Sequence, residues 1–446
     1  MTTRSLKRQF GKQYGYEVLF KNQPKTATGK VGVILGELGM PEDYEPEFYS
    51  DFMAHVFEYI MPSFVAKMVL ADKGIGLVDP ENPVAREPFS PKTLIDSNGS
   101  FTNKAGVPYA ECKVKWISPM KKNPWDHGYF LYKGDGKNGR PDICDKVGAK
   151  VIGWYYGSLL PEKKVSWRSQ LKKVYEEAKE ILGKKFPGTE FRQVYYMNPA
   201  TIKQAVEELL LAGCETILYQ NYNCAVYSDF EDYGHSLVLT HEFVAGKAKV
   251  IMGDQIGNQQ PLRKGYVEIL RSQLQTLEPD SSVLVILSKH GHPFKKETQD
   301  ERAYLYREPL EAGIRELMAA WKGKWDVVWS DDEYGDEYWD SKKTKLETFA
   351  AYRKAIEDHF DYAIELPTEF MAENTDLMIF HAMKKFCAFA EYDRLASIPY
   401  PDWEKPLIRK FKEGKTTGIY ASCPVGPFRK YVVDSIVASI SEKMPV

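Results

Sequence analysis

The sequence predicts an α/β protein made of two Rossmann-like lobes with parallel sheets, helices on both faces and a cleft between the lobes. Three observations predict it. Short runs of branched apolar residues alternate with amphipathic stretches of 3.6-residue period along most of the chain. The chain has 446 residues, a length that suggests two domains or one large one with insertions. Helical stretches also end on stop signals: "ATIKQAVEELLLAG" closes on Gly213, a residue type suited to the left-handed turn after a helix.

The elements follow in order. Residues 1–28 form a basic arm containing the polar linker "KNQPKTATGK". Residues 29–240 are expected to be the N-terminal lobe. It opens on "KVGVILGELGMP", a strand leading into a Gly-Met-Pro turn, and "PEFYSDFMAHVFEYIMPSFVAKMVL" then shows a helical apolar face. Residues 72–143 are dense in Pro, Gly, Asn and Lys and have no strand–helix rhythm. They read as an irregular insertion or lid, because Trp116, Trp125 and Phe130 must pack somewhere. "AKVIGWYYG" resumes the alternation as a strand, with "SWRSQLKKVYEEAKEILGKKF" as its helix. "EFRQVYYMNP" and "CETILYQNYN" are strands around the helix that ends at Gly213, and a helix follows near "YSDFEDYGHSLVLTHEFVAG". Residues 241–446 are expected to be the C-terminal lobe. There "KAKVIMGDQIG", "SSVLVILSKHGHP", "WDVVWSD" and "DYAIELPTEF" read as strands. Their helices are "PLRKGYVEILRSQLQTL", "DERAYLYREPLEAGIRELMAAW" (despite Pro309), "LETFAAYRKAIEDHF" and "ENTDLMIFHAMKKFCAFAEYDRLA".

Composition narrows the classes of function. The 43% hydrophobic fraction and mean hydropathy of -0.43 fit a soluble globular protein. A net charge of -2 and a pI near 6.5 give no electrostatic case for nucleic acid. No window of about 18 apolar residues exists, so no transmembrane segment is expected. The N-terminus lacks the apolar core of a secretory signal. Peripheral membrane contact and a homodimer both stay compatible with the sequence. None of the six cysteines forms a C-x-x-C pair, so neither a zinc ribbon nor an iron–sulfur cluster is expected. A reduced, cytoplasmic setting follows, with Cys214 and Cys224 as buried apolar residues.

In an open α/β fold, ligands sit at the carboxyl ends of the strands. One such end, residues 283–294, reads "VLVILSKHGHPF" and delivers Ser288, Lys289, His290 and His292. The chain has only 8 histidines, so two at one strand end stand out. A second end, "ELPTEFMAENTD", offers Glu365, Glu369, Glu373, Asn374 and Asp376. A third carries Tyr195, Tyr196 and Met197, and a fourth Tyr222 and Ser228. A neutral imidazole binds a divalent metal or accepts a proton near neutrality, and a carboxylate fixes its tautomer or takes the proton onward. The plainer alternatives are a histidine that only shapes a turn, and tyrosines that only fill the core. The six carboxylates within 331–340 either concentrate cations or form a solvated loop.

"VLVILSKHGHP" resembles the ferrochelatase signature, a strand ending in S-A-H-S/G-L-P. Ser288, His290, Gly291 and Pro293 match; Lys289 and His292 replace the Ala and the Leu. Four further segments resemble the family in its own order. "KVGVILGELGMPE" resembles the opening strand with its G-T/S-P turn. "VYYMNPATIKQAVEELLLAGCETILYQNYN" resembles the R-Y-G-N-P helix and the strand after it. "VVWSDDEYGDEYW" resembles F/W-Q-S-x-x-G-x-x-W-L, and "IELPTEFMAENTDLMIFHAMKKF" resembles V-x-P-x-x-F-x-x-D-x-x-E-T-L. Together they span residues 30 to 390, and their collinearity is the specific part of the signal. The chain departs from the pattern as well. The family's glutamate falls on Asp376, its preceding aspartate on Glu373, its arginine on Tyr195, and the residue after its first strand on Leu38.

The resemblance implies a type II chelatase-like lyase that inserts a divalent metal, Fe²⁺ as substrate, into a porphyrin-type tetrapyrrole between the lobes. His290 would be the base or metal contact and Asp376 the carboxylate opposite. Glu373 and His292 would be further metal ligands, although His292 would equally serve as a structural residue. Leu38, Tyr195, Tyr196, Met197, Tyr222, Ser228, Ser288, Lys289 and Glu369 would line the substrate site. Two pyrrole protons must leave and the cation must shed water, so a base, a carboxylate and a pocket that strains the ring are needed. The alternative is a divergent member that binds tetrapyrrole or metal without insertion, or that runs different chemistry in the same cleft.

Overall fold

In a computed structural model of the chain, the described residues are 24–43, 45, 114–117, 129–132, 167–195, 199–222, 224, 247–289, 303–331, 346, 348–372, 409–421 and 423–445. Their strands form two main sheets. The first has the order β4-β1-β5-β6, from β1 (Val31–Glu37), β4 (Glu190–Tyr195), β5 (Thr216–Asn221) and β6 (Lys249–Met252), and every neighbouring pair is parallel. The second has the order β10-β11-β9-β7-β8, from β7 (Val283–Lys289), β8 (Trp325–Asp331), β9 (Tyr362–Pro367), β10 (Arg409–Glu413) and β11 (Thr416–Tyr420). It is parallel except for the edge strand β10, which runs antiparallel to β11. The fold is α/β with two parallel-dominated sheets, as the alternation predicts.

The helices explain why β1 and β7 are buried along their whole length. Both sheet faces are covered there, so alternation in hydrophobicity gives way to continuous apolar runs. Helix α1 (Trp167–Lys185) turns Trp167, Leu171, Val174, Tyr175, Ala178 and Leu182 inward at three- and four-residue steps. α2 (Pro199–Leu211) supplies Ile202, Val206 and Leu209 to the opposite face, with Ile34 and Ile217. α3 (Gln260–Leu274) and α4 (Ala303–Met318, with Pro309 inside it) pack against each other, and α5 (Thr348–Glu357) covers the far face of the second sheet. One large core runs from Val33 and Leu218 of the first sheet to Val285 and Ile364 of the second.

Three features depart from the sequence reading. β6, expected to open the C-terminal lobe after residue 240, pairs with β5 in the first sheet, so that sheet extends past the expected boundary. Its short apolar run carries no mark of which sheet it joins, and register with β5 decides. Within the stretch read as irregular, β2 (Val114–Ile117) and β3 (Tyr129–Tyr132) form an antiparallel pair. The β10–β11 hairpin and helix α6 (Arg429–Ser441) lie beyond the last element that the periodicity assigned. α6 returns along the chain to pack on α1 and α3.

The loops after β5 and β6 meet at Gly257, against Tyr306 of α4. The Gly257 amide donates to the Cys224 carbonyl at 3.0 Å. A Cβ there would lie 2.1 Å from that carbonyl oxygen and 2.6 Å from the Tyr306 ring. The carbonyl belongs to the backbone and cannot swing aside. Gly257→Ala is therefore expected to lower stability by roughly 2–3 kcal/mol, the cost of overpacking a filled interior. A reduced urea midpoint at unchanged denaturant slope is the readout.

Candidate functional site

At the carboxyl edge of the first sheet a row of polar side chains replaces the apolar ones. Glu37 is the last residue of β1 and stands opposite Tyr195, the last residue of β4. The pairing of Gly36 with Asn221, carried one residue on, puts Glu37 beside Tyr222. Gln255 follows β6, which pairs with β5 up to Tyr219 and Met252. Side chains in register share a sheet face. Val33 and Leu35, which precede Glu37 at two-residue steps, point into the large core under α1. The row Tyr195–Glu37–Tyr222 therefore ends that core where α1 begins.

Glu37 is 1% exposed. Its Oε2 accepts from the Gly39 amide at 2.5 Å and from the Trp167 indole N–H at 2.6 Å. Its Oε1 is buried with no hydrogen-bond partner. Burial pushes the carboxyl up to about 7, against the pull of those two donors and of the Arg168 guanidinium. Arg168 is held by the Gly39 carbonyl at 2.6 and 3.1 Å and by Glu45 at 3.0 Å, and it lies 5.2 Å over the Tyr195 ring. Gly39 has φ +83, and a Cβ there would meet Tyr195 at 2.5 Å, so only glycine fits this turn. The Tyr222 hydroxyl is buried and unpartnered, and burial followed by the Glu37 charge holds its pKa well above the ordinary value. Both amide atoms of Gln255 are likewise buried and unpartnered.

The edge of the second sheet has polar groups of a different kind, and they are bonded. The Ser288 hydroxyl donates to Glu365 Oε1 at 2.7 Å, and the Tyr352 hydroxyl donates to Glu365 Oε2 at 2.8 Å. Thr368 donates to the Ser288 carbonyl through its amide at 2.9 Å and its hydroxyl at 2.8 Å. The Tyr266 hydroxyl donates to the carbonyls of Pro367 and Phe370, and the Tyr306 hydroxyl to that of Thr368. Arg307 donates from Nε and Nη2 to Glu369 Oε1 at 2.8 and 2.5 Å, with both side chains nearly buried.

Of the expected site residues, His290, His292, Glu373, Asp376, Tyr196, Met197 and Ser228 lie outside the described residues, as do Asn374 and the carboxylates at 332–340. The structure brings Tyr195 and Tyr222 together around Glu37. Leu38, expected at the substrate, packs against the hydrophobic cores on both sides of the first sheet. Ser288 and Glu369 spend their polar atoms on Glu365 and Arg307, and Lys289 is 3% exposed. Among the described residues no three potential metal ligands converge. Sequence reasoning missed Glu37, Trp167, Arg168 and Gln255. Glu37 had a signal: it is the one charged residue in the buried strand "VGVILGE", and it falls at the strand's end. Trp167, Arg168 and Gln255 had none, because only register and helix packing bring them to it.

No family model matches the chain, and no curated protein sequence does. Solved structures match it only at low similarity. SirB from Bacillus subtilis with Fe3+ is 10% identical, covering 62% of this chain and 88% of its own, with a TM-score of 0.38. A putative LacI-family transcription repressor from Corynebacterium glutamicum is 10% identical, covering 60% and 86%, with a TM-score of 0.26. An ABC transporter solute-binding protein from Clostridium phytofermentans with bound L-rhamnose is 12% identical, covering 60% and 76%, with a TM-score of 0.25.

The raised carboxyl of Glu37 has a consequence for stability. Between its ordinary value of 4.5 and about 7, the folded state binds more protons than the unfolded one. Stability from this group is therefore fully present below pH 4.5 and falls as pH rises through that window, by roughly 3 kcal/mol in all. Glu37→Gln keeps an oxygen for Trp167 and Gly39 and has no charge to lose. Urea denaturation at pH 5 and pH 8 is expected to show the variant close to wild type at the lower pH and more stable at the higher.

Proposed function

We propose that the protein is a chelatase-like lyase that brings a divalent metal and a porphyrin-type tetrapyrrole together at the carboxyl edges of its two sheets. One observation carries this reading. The signature-like segments run along the chain in ferrochelatase order, and the strands among them are parallel within each sheet, β1 with β4 and β7 with β9, so that within a sheet they end at one carboxyl edge. His290 leaves β7 as the base or metal contact. Asp376, with Glu373, follows β9 as the carboxylate that receives the cation. The hydrogen bonds of Thr368 to the end of β7 tie these two exits to each other. Fe²⁺ is the metal the resemblance favours.

The departure at Tyr195 is compatible with an anionic ring substituent. The family carries an arginine at that position, and here the Arg168 guanidinium lies over the Tyr195 ring instead. That guanidinium already serves Glu45 and the Gly39 carbonyl, so a propionate would share it with them. The shorter side chain of Asp376 favours the second reading, a protein that holds tetrapyrrole or metal without joining them.

Purified protein mixed with deuteroporphyrin IX and Fe²⁺, Co²⁺, Ni²⁺ or Zn²⁺ separates the two readings. Metal insertion is expected to convert the free-base visible spectrum to the metallated one. His290→Ala is expected to slow that conversion by roughly 100-fold or more, the usual contribution of a positioned acid or base, at unchanged melting temperature. Porphyrin binding without conversion would select the second reading, and no binding of porphyrin or metal would remove both.

A further inference from the structure

We propose that Glu37 is a proton acceptor of metal insertion, taking one of the two pyrrole protons that leave the ring as the metal enters; this rests on the insertion reading above. The step balances simply. A pyrrole N–H bond breaks, its electron pair stays on nitrogen and binds the metal dication, and the proton goes to Glu37 Oε1 and then to solvent. The other ring proton goes to a second base, for which His290 is the candidate.

The geometry distinguishes Glu37 from a structural carboxylate. Glu365, also fully buried, has a hydroxyl on each oxygen, from Ser288 and Tyr352. Glu37 has two donors on Oε2 and none on Oε1, a buried lone pair left open. Leaving a buried acceptor unbonded costs about 1–3 kcal/mol. Trp167 and Gly39 fix the carboxyl plane, so the open oxygen has a set direction. Its neighbours in register are Tyr195 and Tyr222, both among the residues read as contacts for a flat ligand. Gln255, after β6, likewise has both amide atoms buried and unpartnered.

The groups facing Glu37 suit a proton that must come and go. Arg168 from α1 favours the anion, and Glu45 sits on the guanidinium at 3.0 Å and weakens that pull. Tyr195 from β4 and Tyr222 after β5 have their pKa values raised, so both are neutral near pH 7. Desolvation opposes Arg168 and leaves the carboxyl near 7, where it both accepts and releases a proton.

Zinc insertion into deuteroporphyrin IX, measured with the full chain from about pH 5.5 to about pH 9, tests the assignment. Wild type is expected to show an acid limb near pH 7. Glu37→Gln is expected to lower kcat at least tenfold with little change in KM, to lose that limb, and to bind porphyrin as wild type does by fluorescence quenching. Arg168→Gln removes the guanidinium that favours the anion, so its limb is expected to move to higher pH. A Glu37→Gln variant with wild-type kcat and limb would overturn the assignment while insertion stands. Should that variant not fold, an unmoved limb in Arg168→Gln overturns it equally. If wild type inserts no metal at any pH, the insertion reading fails first and this assignment falls with it.

Discussion

Parallel strands stop without a hairpin, so their last carbonyls need partners from elsewhere in the chain. At the end of β9 those partners are tyrosine hydroxyls. Tyr266 reaches the carbonyls of Pro367 and Phe370, and Tyr306 reaches that of Thr368. Both rings are fully buried, and Tyr306 also touches the site where the loops after β5 and β6 meet. Thr368 in turn bonds the carbonyl of Ser288 near the end of β7. The ends of β7 and β9 are thus held by buried side chains, from α3 and α4 at β9 and from Thr368 at β7. Each buried bond adds only about 1 kcal/mol, but an unmet carbonyl would cost more than that.

The two sheets use a buried glutamate in opposite ways. Glu365 lies within β9, is bonded on both oxygens, and locks Ser288 and Tyr352 around the sheet. Glu37 lies at the end of β1, half bonded, with a carboxyl near neutrality. Desolvation acts on any buried carboxylate; what differs is the supply of donors. Two donors and a guanidinium do not offset it at Glu37. An unfavourable group kept at a strand end, rather than replaced by another Val or Leu, is the pattern of a site and not of a core.

How much of this was legible in the sequence follows from which forces are local. The strands β1, β4, β5, β7, β8 and β9 and the helices α1 to α5 are readable, because each carries its own apolar run or period. β6 was read as a strand but assigned to the wrong sheet, since four residues with two exposed to some degree say nothing about their neighbours. α6 was not read at all. Its buried face carries Ser435 and Ser439 between Val432 and Ile440, and small polar residues blur the apolar stripe. At the site, Tyr195 and Tyr222 were legible as strand-end aromatics. Glu37 was passed over for its neighbour Leu38, and the Trp167–Arg168 pair belongs to a helix 130 residues away in sequence from the carboxylate it bonds.

The hidden serines of α6 explain how the two edges keep their relation. Ser439 donates to Gln220 Oε1 on β5 at 2.7 Å, and Gln220 passes the contact to the Asp254 carbonyl after β6. Ser435, one turn earlier, accepts from the Leu262 amide at the start of α3 at 2.8 Å. Arg429 reaches Glu177 on α1 at 2.7 Å, and the Lys443 carbonyl accepts from the Ala27 amide ahead of β1. One helix from the end of the chain is therefore bonded to the first sheet, to α1 above Glu37, and to the helix whose Tyr266 caps the exit of β9. Moving the two sheets apart would uncover Val432, Val433, Ile436 and Ile440, all essentially buried, and would leave two serine partners unmet. The two sheets share an apolar, hydrogen-bonded layer rather than a small polar contact. The strand ends are thus held in a geometry already set by the core.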